Sequence, residues 1–131
     1  ELCAVADVFC PNEVETELLL GHPLAVGGEA GGAAELLARG ARSVILTLGE
    51  RGCLVHTADE SIELPVEPVE ARDTTGAGDA FVGSLAYFLA RGETLAEAAA
   101  RANRVAAISV QSPGTQTSFP SRESLPTDLL E

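Results

Sequence analysis

The sequence predicts an α/β chain, and three observations carry that class. "SVILTLG", Ser43–Gly49, is a strand apolar on both faces, as strands of a parallel sheet covered on both sides are. Apolar segments with helical spacing alternate with such strands along the chain. Turn residues stand at nearly every junction: Pro11, Gly21, Gly40, Gly49, Gly52, Pro65 and Gly92.

In chain order, "VADVFCP" reads as a buried strand that ends at Pro11. "NEVETELLLG" follows as a helix stopped by Gly21, and "GHPLAVGG" as a loop. "EAGGAAELLARGA" is a helix with small faces closed by Gly40. After the "SVILTLG" strand and a short "GERG" link, "GCLVHT" and "SIELP" read as shorter, partly antiparallel strands. "PVEPVEARD" is a proline-spaced extended connector. "AGDAFVGSLAYFLARG" is apolar nearly all round, which predicts a central buried helix. In "TLAEAAARANRVAAISV", Thr94 and Glu97 have the capping-box spacing, and Leu95, Ala98, Ala99, Ala102, Val105, Ala106 and Ser109 share a face. "QSPGTQTSFP" is a polar loop, and "SRESLPTDLLE" an acidic tail with one short apolar patch.

The 131 residues are one domain or a large part of one. A globular domain of this size buries roughly two-thirds of its unfolded surface, enough for a core. The start, "ELCAVADVFC", has no initiator Met, lacks the basic region of a signal peptide and opens close to a strand, so a piece of a longer protein is expected. No run of about 18 apolar residues is present to span a membrane. The formal net charge is −12, and all eight basic residues are arginine. Without lysine there is no phosphate-loop lysine, and such acidity argues against a nucleic-acid partner. Cys3, Cys10 and Cys53 match no zinc or redox spacing and read as small core residues in a reducing cytoplasm. His22 reads as a loop histidine and His56 as a strand-surface one.

The chemistry concentrates in "DTTGAGDAFVG", Asp73–Gly83. Gly76, Ala77 and Gly78 let backbone N–H groups approach a ligand closely. A helix starting there adds its unpaired N–H groups and positive dipole end, which makes an anion hole. Asp79 in the first turn is favoured by the dipole, yet would face any anion in the hole. A task that justifies it is accepting a proton from a hydroxyl that attacks phosphorus. The same spacing also fits a plain glycine turn followed by an N-terminal helix acid.

"DTTGAGDAFVG" resembles the C-terminal signature of the ribokinase-like, or PfkB, carbohydrate kinases, with two threonines, GAGD, an aromatic and a helix glycine in register. "PNEVE" is similar to the family's NxxE motif, carried by Asn12 and Glu15. "TLGERG" is similar to its nucleotide-contacting strand and turn, and "GTQTSFP" after "NRVAAISVQSP" to its ribose-phosphorylating branch. The resemblance covers nearly the whole chain but only the C-terminal half of such a kinase. It implies the C-terminal part of a mostly parallel sheet flanked by helices.

The resemblance further implies roles. Asp79 is the catalytic base toward a sugar 5-hydroxyl and touches the substrate. Gly76, Ala77 and Gly78 are the anion hole. Thr47, Leu48, Gly49, Glu50, Arg51, Gly52 and Asn103 line the ATP nucleoside site, with Gly78 beside the nucleotide. Asn12 contacts the nucleotide phosphates, and Glu15 orders magnesium through water. An activating potassium ion involves Asp73, the Thr75 carbonyl, Ser109, Ser112, Gly114 and Ser118, oxygen ligands that suit a hard cation. Read without the family, "NEVE" is also an Asn N-cap with surface glutamates, and "QSPGTQTS" an ordinary surface loop. The implied activity is ATP-dependent phosphorylation of D-ribose by a cytoplasmic enzyme that is a homodimer when full length. The alternatives are another sugar or nucleoside kinase, such as a fructokinase or adenosine kinase, and a non-catalytic nucleotide-binding module. The family's lid and most of its sugar contacts belong to an N-terminal half absent from this sequence, so residues 1–131 alone are expected to be inactive.

Overall fold

The computed structural model describes residues 6–111 and 121–130. The chain forms two compact units, Glu1–Leu64 and Pro65–Glu131, divided at the start of the proline-spaced connector.

The first unit is a small sheet with two helices. Helix α1, Glu13–Leu20, is capped by Asn12 and ends at Gly21, whose φ of 81° suits glycine. Helix α2, Glu29–Ala38, ends at Arg39 and Gly40. Strands β1 (Ser43–Thr47), β2 (Cys53–Thr57) and β3 (Ser61–Leu64) form an antiparallel sheet in that order. Val44 pairs with His56 and Leu46 with Leu54; Leu54 in turn pairs with Glu63.

The other edge of β1 is paired in parallel, at bridges Phe9–Val44 and Asn12–Thr47. Ile45 N–H donates to the Phe9 carbonyl at 2.8 Å and Thr47 N–H to the Pro11 carbonyl at 2.9 Å. Among the described residues the strand expected over "VADVFCP" is thus reduced to the bridge at Phe9, with a second bridge just beyond it at Asn12. Pro11 has no N–H to give a ladder, which breaks the run.

Val44, Leu46 and Leu54 pack with Leu20, Ala33, Leu36, Ala41 and Leu48 in the helix-facing core. The opposite face is buried too, with Ile45, Cys53 and Val55 all at 0% exposure, as an apolar run of this kind predicts. His56, expected on the strand surface, is instead half-buried on the helix-facing side, opposite Val44, and its Nδ1 is buried with no hydrogen-bond partner among the described residues. Cys53 lies in the core and Cys10 is half-buried; Cys3 lies outside the described residues. Burial first, then Cys53 and Glu15, push the Cys10 thiol up to about 12, so it stays protonated and inert.

The second unit is a helical hairpin. Helix α3, Ala77–Ala90, packs against α4, Leu95–Ser109, and a short helix α5, Thr127–Leu130, follows a 3₁₀ turn at Arg122–Ser124. The Thr94–Glu97 capping box forms as expected, with Thr94 Oγ1 accepting from Glu97 N–H at 3.2 Å. On α4, Ala98, Ala99, Ala102, Val105 and Ser109 are buried, while Leu95 and Ala106 are only half-buried at the margin.

Helix α3 departs from expectation. It buries Ala80, Phe81, Leu85 and Phe88 but exposes Val82 and Tyr87, so one face is covered rather than all. Periodicity reports only how apolar a face is. Which neighbour covers it is a property of the packed unit.

Candidate functional site

The candidate residues divide between the units. In the first, the parallel bridge sets Asn12 directly beside Thr47, at the C-terminal end of β1. Ligands of open α/β sheets bind at this end of the strands. The chain then turns through Gly49–Arg51, with Leu48 N–H donating to the Gly52 carbonyl at 2.9 Å. Gly52 has φ 95° and ψ −130°, a backbone region that essentially only glycine enters. Thr47–Gly52 is therefore a tight hairpin whose backbone lies next to the start of α1.

Asn12 and Glu15 are engaged with one another. Asn12 Oδ1 accepts from Glu15 N–H at 2.7 Å, and Glu15 Oε2 accepts from Asn12 N–H at 2.9 Å. The capping arrangement that the bare spacing allowed is thus realised. Arg51 is also committed: its Nη1 donates to Glu29 Oε1 at 3.0 Å, and its Nη2 lies 3.9 Å from Glu63. The Glu29 carboxyl is held below its usual range, first by its own backbone N–H and then by Arg51. Glu50 is exposed and Leu48 is buried beneath the turn.

In the second unit, Asp73 Oδ1 accepts from Thr75 N–H at 2.9 Å, closing an Asx turn. The N–H groups of Arg72 and Asp73 both donate to the Val110 carbonyl, at 2.7 and 3.1 Å. This ties the loop before α3 to the end of α4 and brings Asp73 beside the stretch that contains Ser109. The Ser109 hydroxyl donates to the Ala106 carbonyl of its own helix at 2.7 Å and is buried. Ser112, Gly114 and Ser118 lie outside the described residues.

Gly76 takes φ 82° and is the N-cap of α3, with no side-chain cap. The first bond of the helix runs from Ala80 N–H to the Gly76 carbonyl at 2.9 Å, so the amides of Gly78 and Asp79 precede the ladder. The Ala77 amide donates to the Thr74 carbonyl at 3.2 Å, which commits one of the three expected hole donors to the turn. Asp79 is exposed in the first turn and lines a cavity of about 380 Å³ along one side of α3, together with Ser84, Tyr87, Phe88, Arg122 and Leu130. Asn103, on α4, is buried at 5% exposure. Among the described residues no three His, Cys, Asp or Glu side chains cluster to hold a metal, and no helix is long and apolar enough to cross a membrane.

The signature, the αL glycine and the acid behind it coincide with a family pattern. Residues 1–122 match the pfkB family carbohydrate kinases. The chain belongs to that family. Mouse ribokinase is 45% identical over an alignment 131 residues long that covers 96% of this chain and 41% of that protein. Deoxyribokinase of Salmonella typhi is 41% identical over 118 residues, covering 89% of this chain and 39% of that one. The fold is that of ribokinase-like kinases: Arabidopsis thaliana ribokinase, solved with ribose and ATP, aligns over 99% of this chain and 42% of its own, with a TM-score of 0.87 and 30% identity. Escherichia coli phosphofructokinase-2, solved with potassium, aligns over 90% of this chain and 38% of its own, at TM-score 0.81 and 26% identity. The chain thus spans about two-fifths of the relatives it matches.

Motif reading missed three arginines of the second unit. Arg91, Arg101 and Arg104 hold the segment after the polar loop by bonds to Leu130, Leu129 and Asp128. The available hint was the spacing of Arg101 and Arg104, three apart and so neighbours on one helix surface.

Proposed function

We propose that this chain is the nucleotide-phosphate and catalytic-base portion of an ATP-dependent sugar kinase that phosphorylates the 5-hydroxyl of D-ribose. The observation that carries the reading is Asp79 standing in the first turn of α3, just past an αL glycine, with the Gly78 and Asp79 amides ahead of the helix ladder. A phosphoryl group held there would meet N–H donors and the positive helix end, while Asp79 accepts the proton of the attacking hydroxyl. Asn12 and the Thr47–Gly52 hairpin would supply the nucleotide side, with Asn103. Magnesium would be held mainly by nucleotide phosphates and water, as this ion prefers, with Glu15 ordering the water. Asp73, Thr75 and Ser109 offer only oxygen, as potassium requires.

Ribose is favoured because ribokinases stand among the similar proteins. The deoxyribokinase similarity keeps 2-deoxyribose as the second reading. A cytoplasmic, homodimeric full-length enzyme belongs to the same proposal, as does the inactivity of residues 1–131 alone.

The test is ADP release by the full-length protein with ribose, 2-deoxyribose, fructose and adenosine in turn. Ribose should turn over fastest. A faster rival would replace the substrate and keep the chemistry. Nucleotide binding without ADP release from any of them would leave a non-catalytic module.

A further inference from the structure

The segment 121–130 is bound more firmly than its short helix explains. Leu129 is fully buried, and a four-residue helix cannot satisfy its own last carbonyls. Arginines supply the donors. Arg91 Nη1 donates to the Leu130 carbonyl at 2.6 Å. Arg101 Nη1 donates to the Leu129 carbonyl at 3.0 Å and the Asp128 carbonyl at 3.3 Å, while its Nε lies 3.3 Å from Glu93. Arg104 pairs with the Asp128 carboxylate and holds it below its usual range.

Two of these arginines, Arg91 and Arg101, pack against rings that line the cavity beside Asp79. The Arg91 guanidinium lies 5.7 Å from the Tyr87 ring centroid, and that of Arg101 lies 5.5 Å from the Phe88 centroid. Both rings line the cavity, and Arg122, Leu125 and Leu130 of the segment form its facing wall. Each of the two arginines therefore bridges a cavity-lining ring and a carbonyl of the segment. Arg101 is the more shielded, with its side chain 29% exposed and that of Glu93 15%. Its Nη1 serves two carbonyls while its Nε lies in ion-pair range of Glu93, a fixed planar spacing that a lysine's single ammonium does not reproduce.

We propose that residues 121–130 are a strap latched by Arg91 and Arg101, and that Arg101 is a positioning residue for the chemistry at Asp79. It does not touch substrate. It holds the wall that bounds the space next to that carboxylate, so loosening it widens the cavity and misplaces whatever reacts there. The second half of this inference rests on the kinase reading; the strap itself does not.

The experiment uses the full-length protein and three variants: Arg101→Gln, the milder Arg101→Lys, and Arg39→Gln as a comparison. Arg39 makes a similar clasp in the first unit, donating to the Leu19 and Leu20 carbonyls. Hydrogen exchange of the Leu129 and Leu130 amides should quicken about tenfold in both Arg101 variants, with residues 98–105 unchanged. In turnover, kcat should fall about fivefold or more with the ATP KM held, more for Gln than for Lys, whereas Arg39→Gln leaves kcat as it was. Unchanged strap exchange in both Arg101 variants overturns the latch. A strap that opens without loss of kcat, or an equal loss in Arg39→Gln, overturns the positioning role. If the parent protein phosphorylates no sugar, the kinase reading fails, while the exchange result still decides the strap.

Discussion

Asn12 and Glu15 cap each other across the first turn of α1, each side chain accepting the other's backbone N–H, at 2.7 and 2.9 Å. The two residues that the family pattern assigns to phosphate and magnesium therefore already have a structural task. Asn12→Ala should cost about 1 kcal/mol of stability, whereas Asn12→Asp, which keeps the cap, should cost little. Urea denaturation measures both. If Asn12 also meets the nucleotide, the ATP KM rises in Asn12→Asp as well, since a second anion then faces the phosphates. A normal KM in that variant would restrict Asn12 to capping.

Asp79 is exposed in the first turn of α3 and lines the cavity, as a base must if it is to reach a hydroxyl. In the full-length enzyme Asp79→Asn should keep ATP affinity and lower kcat by roughly 10²–10⁴-fold, the scale of a lost general base. Single-turnover kinetics with calorimetric ATP binding separate the two effects. Near-normal turnover would remove Asp79 from the role.

Asp73 is tied both to Thr75 and to the end of α4, so an ion held by this loop would order the approach to α3 without touching the phosphate. Potassium should activate the full-length enzyme, sodium poorly, and Asp73→Ala should weaken the response. Titrating potassium chloride against choline chloride at constant ionic strength separates a site from screening. Equal rates in the two salts would exclude the ion and leave the kinase reading in place.

His22, just past the end of α1, reaches α2 through Glu35, 3.0 Å from its Nε2, while its Nδ1 lies 3.0 Å from the carbonyl of the neighbouring Pro23. The Pro23 carbonyl first, then Glu35, raise its pKa above the ordinary value. The folded chain thus favours the protonated ring. The stability this contributes is complete below the unfolded-state pKa, about 6.5 for histidine, and is lost as pH rises through the higher folded-state value. Titration of the His22 ring by NMR should show the upward shift, and Glu35→Gln should reduce it. An unshifted ring in the parent protein would contradict the contact.

The local signals were the legible ones. Asn12, Gly21, Gly40 and the Thr94–Glu97 pair marked helix ends correctly, because a cap is made by residues at most a few positions apart. The glycine turn and acid of residues 76–79 were legible for the same reason. An αL glycine followed by a helix start is written in consecutive residues.

Contacts between distant residues were decided only by the tertiary structure. Among the described residues the "VADVFCP" segment keeps a single bridge, at Phe9: Pro11 interrupts its ladder locally, but the partner it pairs with, Val44 of β1, is more than thirty residues away and was not legible. Helix α3 buries one face because burial is set by what packs against it, and α4 covers one side. The strap is held by Arg91 and Arg101, 39 and 28 positions from the carbonyls they bond, at a range where no periodicity operates. Sequence determined which residues could turn, cap and carry charge, since those are properties of short stretches of chain. Packing decided which of those charges meet, because that depends on which surfaces folding brings within hydrogen-bond distance.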